Sequence, residues 1–401
     1  MKRLILLLKI FVILLVLINL VILLSGRFYI YKGVWYTYLQ GKTGPTIYDL
    51  DKFPYVTIHK GDSTFHFSTD DRDLKLTTVE EKHFEKWDTR SFLVIKDDKI
   101  IFEKYFQNHT DTTHSNSFSA AKTVVGLLIG CALDDGKIKS LDESVGNYLP
   151  EFKKRGREIV TIRDLLTMAS GLSWEESGKN PFSDNAASYY GTDLYKLATR
   201  QKVVSTPGKL FFYQSGNTQL LAFILEKATG KSINEYASEK IWSQIGTQDD
   251  AYWSLDRKNG NEKAFCCIYA TTRDFAKLGR LLLHRGIWNG KRLVSEHYFN
   301  EFSSPAPLTT EEGIPNTRYG FQVWLYPRKQ NPLIYCRGIL GQYIVAIPDE
   351  NLIFVRTGMN RDENVLPDEA KDNLLKVGHP RDFFDYLNAA ERLTKQYEER
   401  H

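Results

Sequence analysis

Ser119 and Lys122, in the stretch Ser117-Phe118-Ser119-Ala120-Ala121-Lys122-Thr123-Val124, have the types and spacing of a nucleophile beside a base. Val124, Leu127 and Leu128 continue an apolar face at helical spacing, so the stretch predicts a loop entering a buried helix with Ser119 at its first turn. Residues three apart share one helix face, and the Lys122 amine can reach back to the Ser119 hydroxyl. An apolar helix would desolvate that amine and favour its neutral form, the form able to take a proton from serine. Free N–H groups at the helix N-terminus would sit where an oxyanion develops. Ser is also a common N-cap, and Ser-x-x-Lys arises by chance about once in a chain of this size, so the pair needs company.

Two further stretches supply it. Pro207-Gly208-Lys209-Leu210-Phe211-Phe212-Tyr213-Gln214-Ser215-Gly216-Asn217 reads as a loop leading into a helix at Leu220. A tyrosine held there near a lysine cation can carry a proton, although one packed on the core with its hydroxyl satisfied is the commoner case. Gly338-Ile339-Leu340-Gly341-Gln342 lies between apolar runs, where glycines mark either a close approach to a ligand or a bend in an edge strand.

The elements that must position these groups follow from the pattern. Ser91–Ile95 and Ile100–Tyr105 flank a turn at Lys96-Asp97-Asp98-Lys99 and predict a β-hairpin just ahead of the Ser119 helix. Helices are expected over Thr161–Met168, Leu220–Thr229, Ser232–Ile245, Thr272–Leu283 and Arg381–Glu399. Strands are expected over Cys266–Ala270, Tyr319–Leu325, Ile334–Arg337, Gln342–Ile347 and Leu352–Thr357. Trp174 to Gly191 reads as a long polar, aromatic-rich loop. Strands at both ends with helices between them imply a sheet built from the two ends around an inserted helical region, roughly 131–262.

The rest of the composition sets limits. At 401 residues the chain can bury at least one large core, and its 53 basic and 49 acidic residues are interspersed, so a net charge of +4 gives no support to nucleic-acid binding. The nine His form no His-Glu-x-x-His pattern and the four Cys no Cys-x-x-Cys pair, so a zinc site is not expected. Cys131, Cys266, Cys267 and Cys336 argue against a disulfide framework and suit apolar core roles.

Leu4 to Leu24 is almost wholly apolar behind Lys2 and Arg3, and Ser25-Gly26 is followed at once by Arg27, Phe28 and Tyr29 rather than by a small-residue cleavage site. That favours an uncleaved membrane anchor over a signal peptide, with the catalytic part outside the inner membrane; cleavage would make the protein secreted. Tyr29, Tyr31, Trp35, Tyr36 and Tyr38 suit a membrane interface. Tyr55–Ile58 and Thr64–Phe67 read as short strands of a decorating subdomain or a juxtamembrane stalk. The expected division is 1–26 anchor, 27–85 stalk and 86–401 catalytic domain.

From about Lys86 onward the chain resembles the serine β-lactamase and penicillin-binding-protein superfamily, in its class C-like branch of esterases, D-amino-acid peptidases and 6-aminohexanoate-dimer hydrolase. Ser119-Ala120-Ala121-Lys122 matches Ser-x-x-Lys, Tyr213-Gln214-Ser215 matches Tyr-x-Asn in its Tyr-x-Ser form, and Cys336-Arg337-Gly338 stands in place of Lys-Thr-Gly. Thr167-Met168-Ala169-Ser170-Gly171-Leu172 looks like the family's His-Thr-Ser-Gly-Leu segment without its His. The resemblance implies a β-lactamase-like α/β (α+β) fold, an antiparallel sheet flanked by helices. It also implies an acyl-enzyme on Ser119, proton shuttling by Lys122 and Tyr213, an oxyanion hole from the N–H groups of Ser119 and Ile339, and a reaction that needs no metal or organic cofactor. Ser215 would bond Lys122 or the substrate, and Gly338, Arg337 and Gln342 would lie near the substrate. An ester or small amide is the expected substrate; a penicillin-binding sensor of cell-wall ligands, or a D-amino-acid peptidase with little turnover, is the alternative.

Replacement of the strand Lys and Thr by Cys336 and Arg337 removes the family's usual grip on a β-lactam carboxylate, and strand alternation lets at most one of the pair face the cleft. Nitrocefin should therefore be hydrolysed weakly or not at all by the purified protein. Efficient turnover in a spectrophotometric assay would contradict that expectation.

Overall fold

The structure is a computed structural model and describes residues 1–70 and 73–400. Strands β1 (Ser68–Thr69), β2 (Thr89–Lys96), β3 (Lys99–Tyr105), β4 (Trp324–Tyr326), β5 (Leu333–Gly338), β6 (Gln342–Ile347) and β7 (Leu352–Gly358) form one sheet in the order β4-β5-β6-β7-β2-β3-β1. Every neighbouring pair is antiparallel except β1 with β3. The hairpin β2–β3 meets the C-terminal strands through β7, with Leu352 opposite Lys96 and Thr357 opposite Ser91. The sheet is thus built from both ends of the catalytic region, as the resemblance implied.

Seven helices are used below: α1 (Lys2–Ser25), α2 (Tyr29–Tyr36), α3 (Ala121–Asp134), α4 (Asp184–Tyr190), α5 (Ser215–Thr229), α6 (Thr272–Leu283) and α7 (Arg381–Glu399). Both β6 and β7 are buried along their whole length. That requires cover on each face, which explains why their sequences are nearly continuous apolar runs. Leu93, Ile95, Ile344 and Ile353 share a core with Phe275 and Leu278 of α6, whereas Phe92, Val94, Val345 and Phe354 pack with Phe383, Tyr386 and Leu387 of α7.

Several local expectations change. Thr64–Phe67 is extended but pairs with no strand, and the short ladder falls at Ser68–Thr69 instead. The segment expected as a stalk is stitched to the catalytic body: Tyr55–Ile58 pairs antiparallel with Ala251–Ser254, and Ile47, Phe53 and Ile58 lie in the main core. The Trp174–Gly191 loop contains α4, whose N-cap Ser183 accepts from the N–H of Ala186. The helix expected from Leu220 begins at Ser215, directly after Tyr213 and Gln214. Ser232–Ile245 is broken into a short α-helix at Ile233–Ala237 and a π turn at Ser238–Trp242. Cys266 and Cys267 are disulfide-bonded to each other rather than separate core thiols, while Cys131 and Cys336 are free and buried.

Among the described residues α1 is the helix long and apolar enough to cross a membrane, and only Ile22 of it is buried. Gly26 closes it in the left-handed conformation, φ 66°, with the Arg27 N–H on the Ile22 carbonyl. The chain then turns into α2, which folds against α4 and the 50–53 segment. Lys52 Nζ donates to the Tyr36 carbonyl, Tyr36 and Phe53 meet edge to face, and Gly33 lies flat against the Tyr190 ring.

The contact that sets the site is between β5 and the turn ahead of α3. A Cβ on Gly338 would lie 2.3 Å from the Ser117 carbonyl oxygen and 3.1 Å from Phe118 Cβ, so only a glycine lets strand and turn approach this closely. Gly338→Ala should destabilise the protein by about 1–3 kcal/mol through overpacking, read as a lower Tm in thermal denaturation. An unchanged Tm would mean that the strand and turn are not in contact at this point.

Candidate active site

Ser119 sits in a single 3₁₀ turn, Phe118–Ala120, that runs straight into α3. Phe118 before it holds a positive φ of 44° while almost wholly buried. An aromatic residue does not adopt that conformation without help from its surroundings. The Asn116 side chain supplies some of it by accepting from the Phe118 N–H at 2.8 Å. The turn points the Ser119 hydroxyl at Lys122, one helical turn on, whose Nζ donates to Ser119 Oγ at 3.0 Å and to the Phe265 carbonyl at 2.8 Å. Lys122 is 1% exposed, and its amine also lies 5.0 Å from the centre of the Tyr213 ring. The three residues singled out on chemical grounds are therefore brought together.

The N–H groups of Ser119 and Ile339 are taken by no acceptor among the described residues, and both residues line one cleft of about 690 Å³ together with Tyr213, Ser215 and Gly338. The turn Ile339–Gly341 that presents Ile339 has positive φ at Leu340 (61°) and Gly341 (80°). It is clamped from below by Arg356 of β7, whose guanidinium donates to the carbonyls of Leu340 and Gly341 at 2.7 Å each. Gln342 belongs to the same clamp, and its amide bonds the Ile339 and Gly358 carbonyls and the Gly358 N–H. It is buried beneath the turn instead of lying near a substrate as expected, because the first residue of β6 points inward.

Alternation along β5 separates Cys336 from Arg337. Cys336 is fully buried in the main core, where desolvation pushes its thiol up to about 12. Arg337 lines the cleft, stacked 3.5 Å over the Trp324 ring and donating to the Gly378 carbonyl at 2.8 Å. Burial lowers its affinity for a proton and the nearby Arg361 cation adds to that, yet a guanidinium stays charged in proteins. Arg361 lines the same cleft and one of its terminal nitrogens is buried without a hydrogen bond.

Ser215 does not bond Lys122. Its hydroxyl donates to Glu176 Oε1 at 2.6 Å and its N–H to Oε2 at 2.7 Å, and Trp174 Nε1 donates to Oε2 at 2.9 Å. Glu176 therefore caps α5 at its N-terminus, where a negative charge is favoured. Burial nevertheless raises its carboxyl above the ordinary glutamate value, a shift that the Lys122 charge opposes. Gln214 ties the same loop down, donating to the carbonyls of Leu172 and Trp174. Met168, standing where the family segment carries His, takes the Gln214 N–H on its sulfur at 3.4 Å. Sequence reasoning marked the 174–191 loop but not Glu176 or Arg361, because the partners that single them out lie 39 residues away in the case of Ser215 and on other elements in the case of Arg361.

No group of three or more His, Cys, Asp or Glu suited to a metal occurs among the described residues. A half-buried serine beside a buried lysine, a tyrosine next to them and two open N–H groups, on a sheet with a helical insertion, have the arrangement of a β-lactamase-fold serine hydrolase. The model of the Beta-lactamase family matches residues 86–378, and the chain belongs to that family. The 6-aminohexanoate-dimer hydrolase of Paenarthrobacter ureafaciens is 25% identical over 293 residues, covering 69% of this chain and 74% of that protein. The teichoic acid D-alanine hydrolase of Staphylococcus aureus is 27% identical over 266 residues, 65% of this chain and 58% of its own. Among solved structures, a Bacillus anthracis protein likened to 6-aminohexanoate-dimer hydrolase superposes with a TM-score of 0.73 at 22% identity, covering 88% of this chain and 94% of that one. A family VIII carboxylesterase superposes at 0.58 with 17% identity, covering 80% and 99%. At these identities the solved structures speak for the fold alone.

Protonation of Glu176 removes acceptor capacity from a carboxylate that serves three donors, and because its pKa is raised this begins above the usual glutamate range of about 4.3 as pH falls. Labelling of Ser119 by a fluorophosphonate should therefore decline on the acid side starting above that range. Glu176→Gln should label about tenfold more slowly with that acid limb gone. A limb unchanged by the substitution would assign it to another group.

Proposed function

We propose that this protein is a serine hydrolase that forms an acyl-enzyme on Ser119 and releases it to water, acting on an ester or small amide rather than a β-lactam. The observation that carries this is the Lys122 amine 3.0 Å from Ser119 Oγ at the floor of a cleft that also holds Tyr213. In the neutral form Lys122 accepts the Ser119 proton as Oγ attacks the carbonyl carbon, and the N–H groups of Ser119 and Ile339 receive the oxyanion. Collapse breaks the bond to the leaving alcohol or amine, which takes the proton by way of Lys122 and Tyr213. Water then attacks the acyl carbon, its proton passing through Tyr213 and the neutral Lys122 amine to Ser119 Oγ as the bond from that oxygen to the acyl carbon breaks and the carboxylic acid leaves.

Arg337 and Arg361 give one wall of the cleft positive charge, which suits a carboxylate or phosphate on the substrate. Hydrolase activity in the named relatives, on a 6-aminohexanoate dimer and on D-alanine of teichoic acid, supports ester and amide chemistry of this kind. The N-terminal helix α1 serves as an uncleaved anchor that leaves the hydrolase outside the inner membrane, supported by its length, its apolar composition and the basic residues ahead of it.

The test is labelling of the full-length protein with a fluorophosphonate and with a fluorescent penicillin, beside Ser119→Ala, Lys122→Ala and Tyr213→Phe. Phosphonate labelling should vanish in Ser119→Ala and fall by at least about a hundredfold in Lys122→Ala. Durable labelling by penicillin would instead favour a penicillin-binding role, and absence of both labels in the wild-type protein would defeat the acyl-enzyme assignment.

A further inference from the structure

The cleft that holds Ser119 is walled on one side by α2, the short helix that follows the apolar α1 after only a three-residue turn. Tyr29, Ile30, Gly33, Val34 and Thr37, spaced so as to fall on one helical face, line the cleft. The opposite side of α2 and the turn after it leave Tyr31, Trp35 and Leu39 in solvent, Trp35 at 62% and Leu39 at 67% exposure. An α-helix is about 10 Å across, so the apolar wall of the cleft and this exposed aromatic face are one helix thickness apart. Val34 and Tyr38 belong to both, being cleft-lining and exposed at 38% and 67%.

The position of α2 is fixed at both ends. Tyr31 donates to Asn19 Oδ1 within α1 at 2.7 Å, and Arg27 lies over the Phe182 ring of the loop that forms another part of the cleft. On the other side Lys52, Phe53 and Tyr190 hold α2 to the body. Exposed aromatics beside a membrane-length apolar helix match the composition of a membrane interface, and an isolated water-soluble domain gains nothing from them. The cleft mouth at Val34 and Tyr38 is consequently held at the bilayer surface whenever α1 lies in the bilayer.

We infer that the substrate is a membrane-resident ester bearing a long acyl chain, drawn from the bilayer past Val34 and Tyr38 so that the chain lies along the α2 wall and the carbonyl reaches Ser119. The inference rests on the acyl-enzyme reading and on α1 as an anchor. Ser119 Oγ forms the bond to the acyl carbon and the bond from that carbon to the alcohol oxygen breaks, the proton leaving with the alcohol. Water then releases the fatty acid and returns the proton to Ser119.

The test uses the full chain reconstituted in phosphatidylcholine vesicles. Two fluorogenic esters are compared, 4-methylumbelliferyl palmitate dissolved in the bilayer and 4-methylumbelliferyl butyrate in water, with Ser119→Ala as the blank for both. The palmitate ester should be preferred by at least about tenfold in kcat/KM. Val34→Glu, which places a carboxylate on the apolar wall, should lower the palmitate-to-butyrate ratio by about tenfold, and Val34→Leu should retain it. Ser119-dependent hydrolysis of butyrate without preference for palmitate overturns the inference and leaves the hydrolase standing. Hydrolysis of neither ester overturns the inference alone if the fluorophosphonate still labels Ser119, and overturns both if it does not; a ratio unmoved by Val34→Glu removes α2 from substrate binding.

Discussion

A lysine amine with 1% exposure has to find partners inside the protein, and Lys122 finds them in the Ser119 hydroxyl, the Phe265 carbonyl and the face of the Tyr213 ring. A buried polar group without hydrogen-bond partners is expensive, so every element that supplies a partner is held to a narrow position. The strained Phe118 aims the hydroxyl, the strand ahead of α6 brings in the Phe265 carbonyl next to the Cys266–Cys267 pair, and the start of α5 fixes Tyr213. The sheet enters through Gly338, whose lack of a side chain allows β5 to rest on the Ser117–Phe118 backbone. Much of the architecture thus follows from burying one amine beside one hydroxyl.

Around that centre lies a layer whose members touch each other more than they touch the cleft. Glu176 gathers Ser215 and Trp174, Gln214 binds the carbonyls of Leu172 and Trp174, and Arg356 with Gln342 secures the turn that offers the Ile339 N–H. Buried hydrogen-bonded groups of this kind fix geometry because each would be costly to leave unpaired. Tyr213 is held differently, between Lys122 and the rings of Tyr319 and Trp324, and Trp324 carries the Arg337 guanidinium on its face. The cation wall and the proton-carrying tyrosine therefore share one aromatic support.

Family membership sets the reaction type more firmly than the substrate. The family match covers residues 86–378, and relatives about a quarter identical in sequence share it, while part of the cleft wall, from Tyr29 to Pro45, lies ahead of the matched region. That part includes α2, which precedes residue 86 and yet lines the same cleft as Ser119. Segments added around a fixed scaffold shape a pocket without changing the scaffold.

The sequence by itself determined that Ser119 and Lys122 are neighbours, since residues three apart on a helix share one face. It also determined the hairpin β2–β3, α6 and α7, whose periodicity is strong and whose ends are marked by turns and caps. Tertiary structure alone decided which side of β5 faces the cleft, sending Arg337 there and Cys336 into the core, because alternation gives opposition but not direction. It alone paired Ser215 with Glu176, tucked Gln342 beneath its turn, joined Cys266 to Cys267, paired Tyr55–Ile58 with the body and set residues 29–45 along the cleft. Each of those outcomes depends on groups far apart in the chain meeting in space, and local pattern carries no record of such meetings.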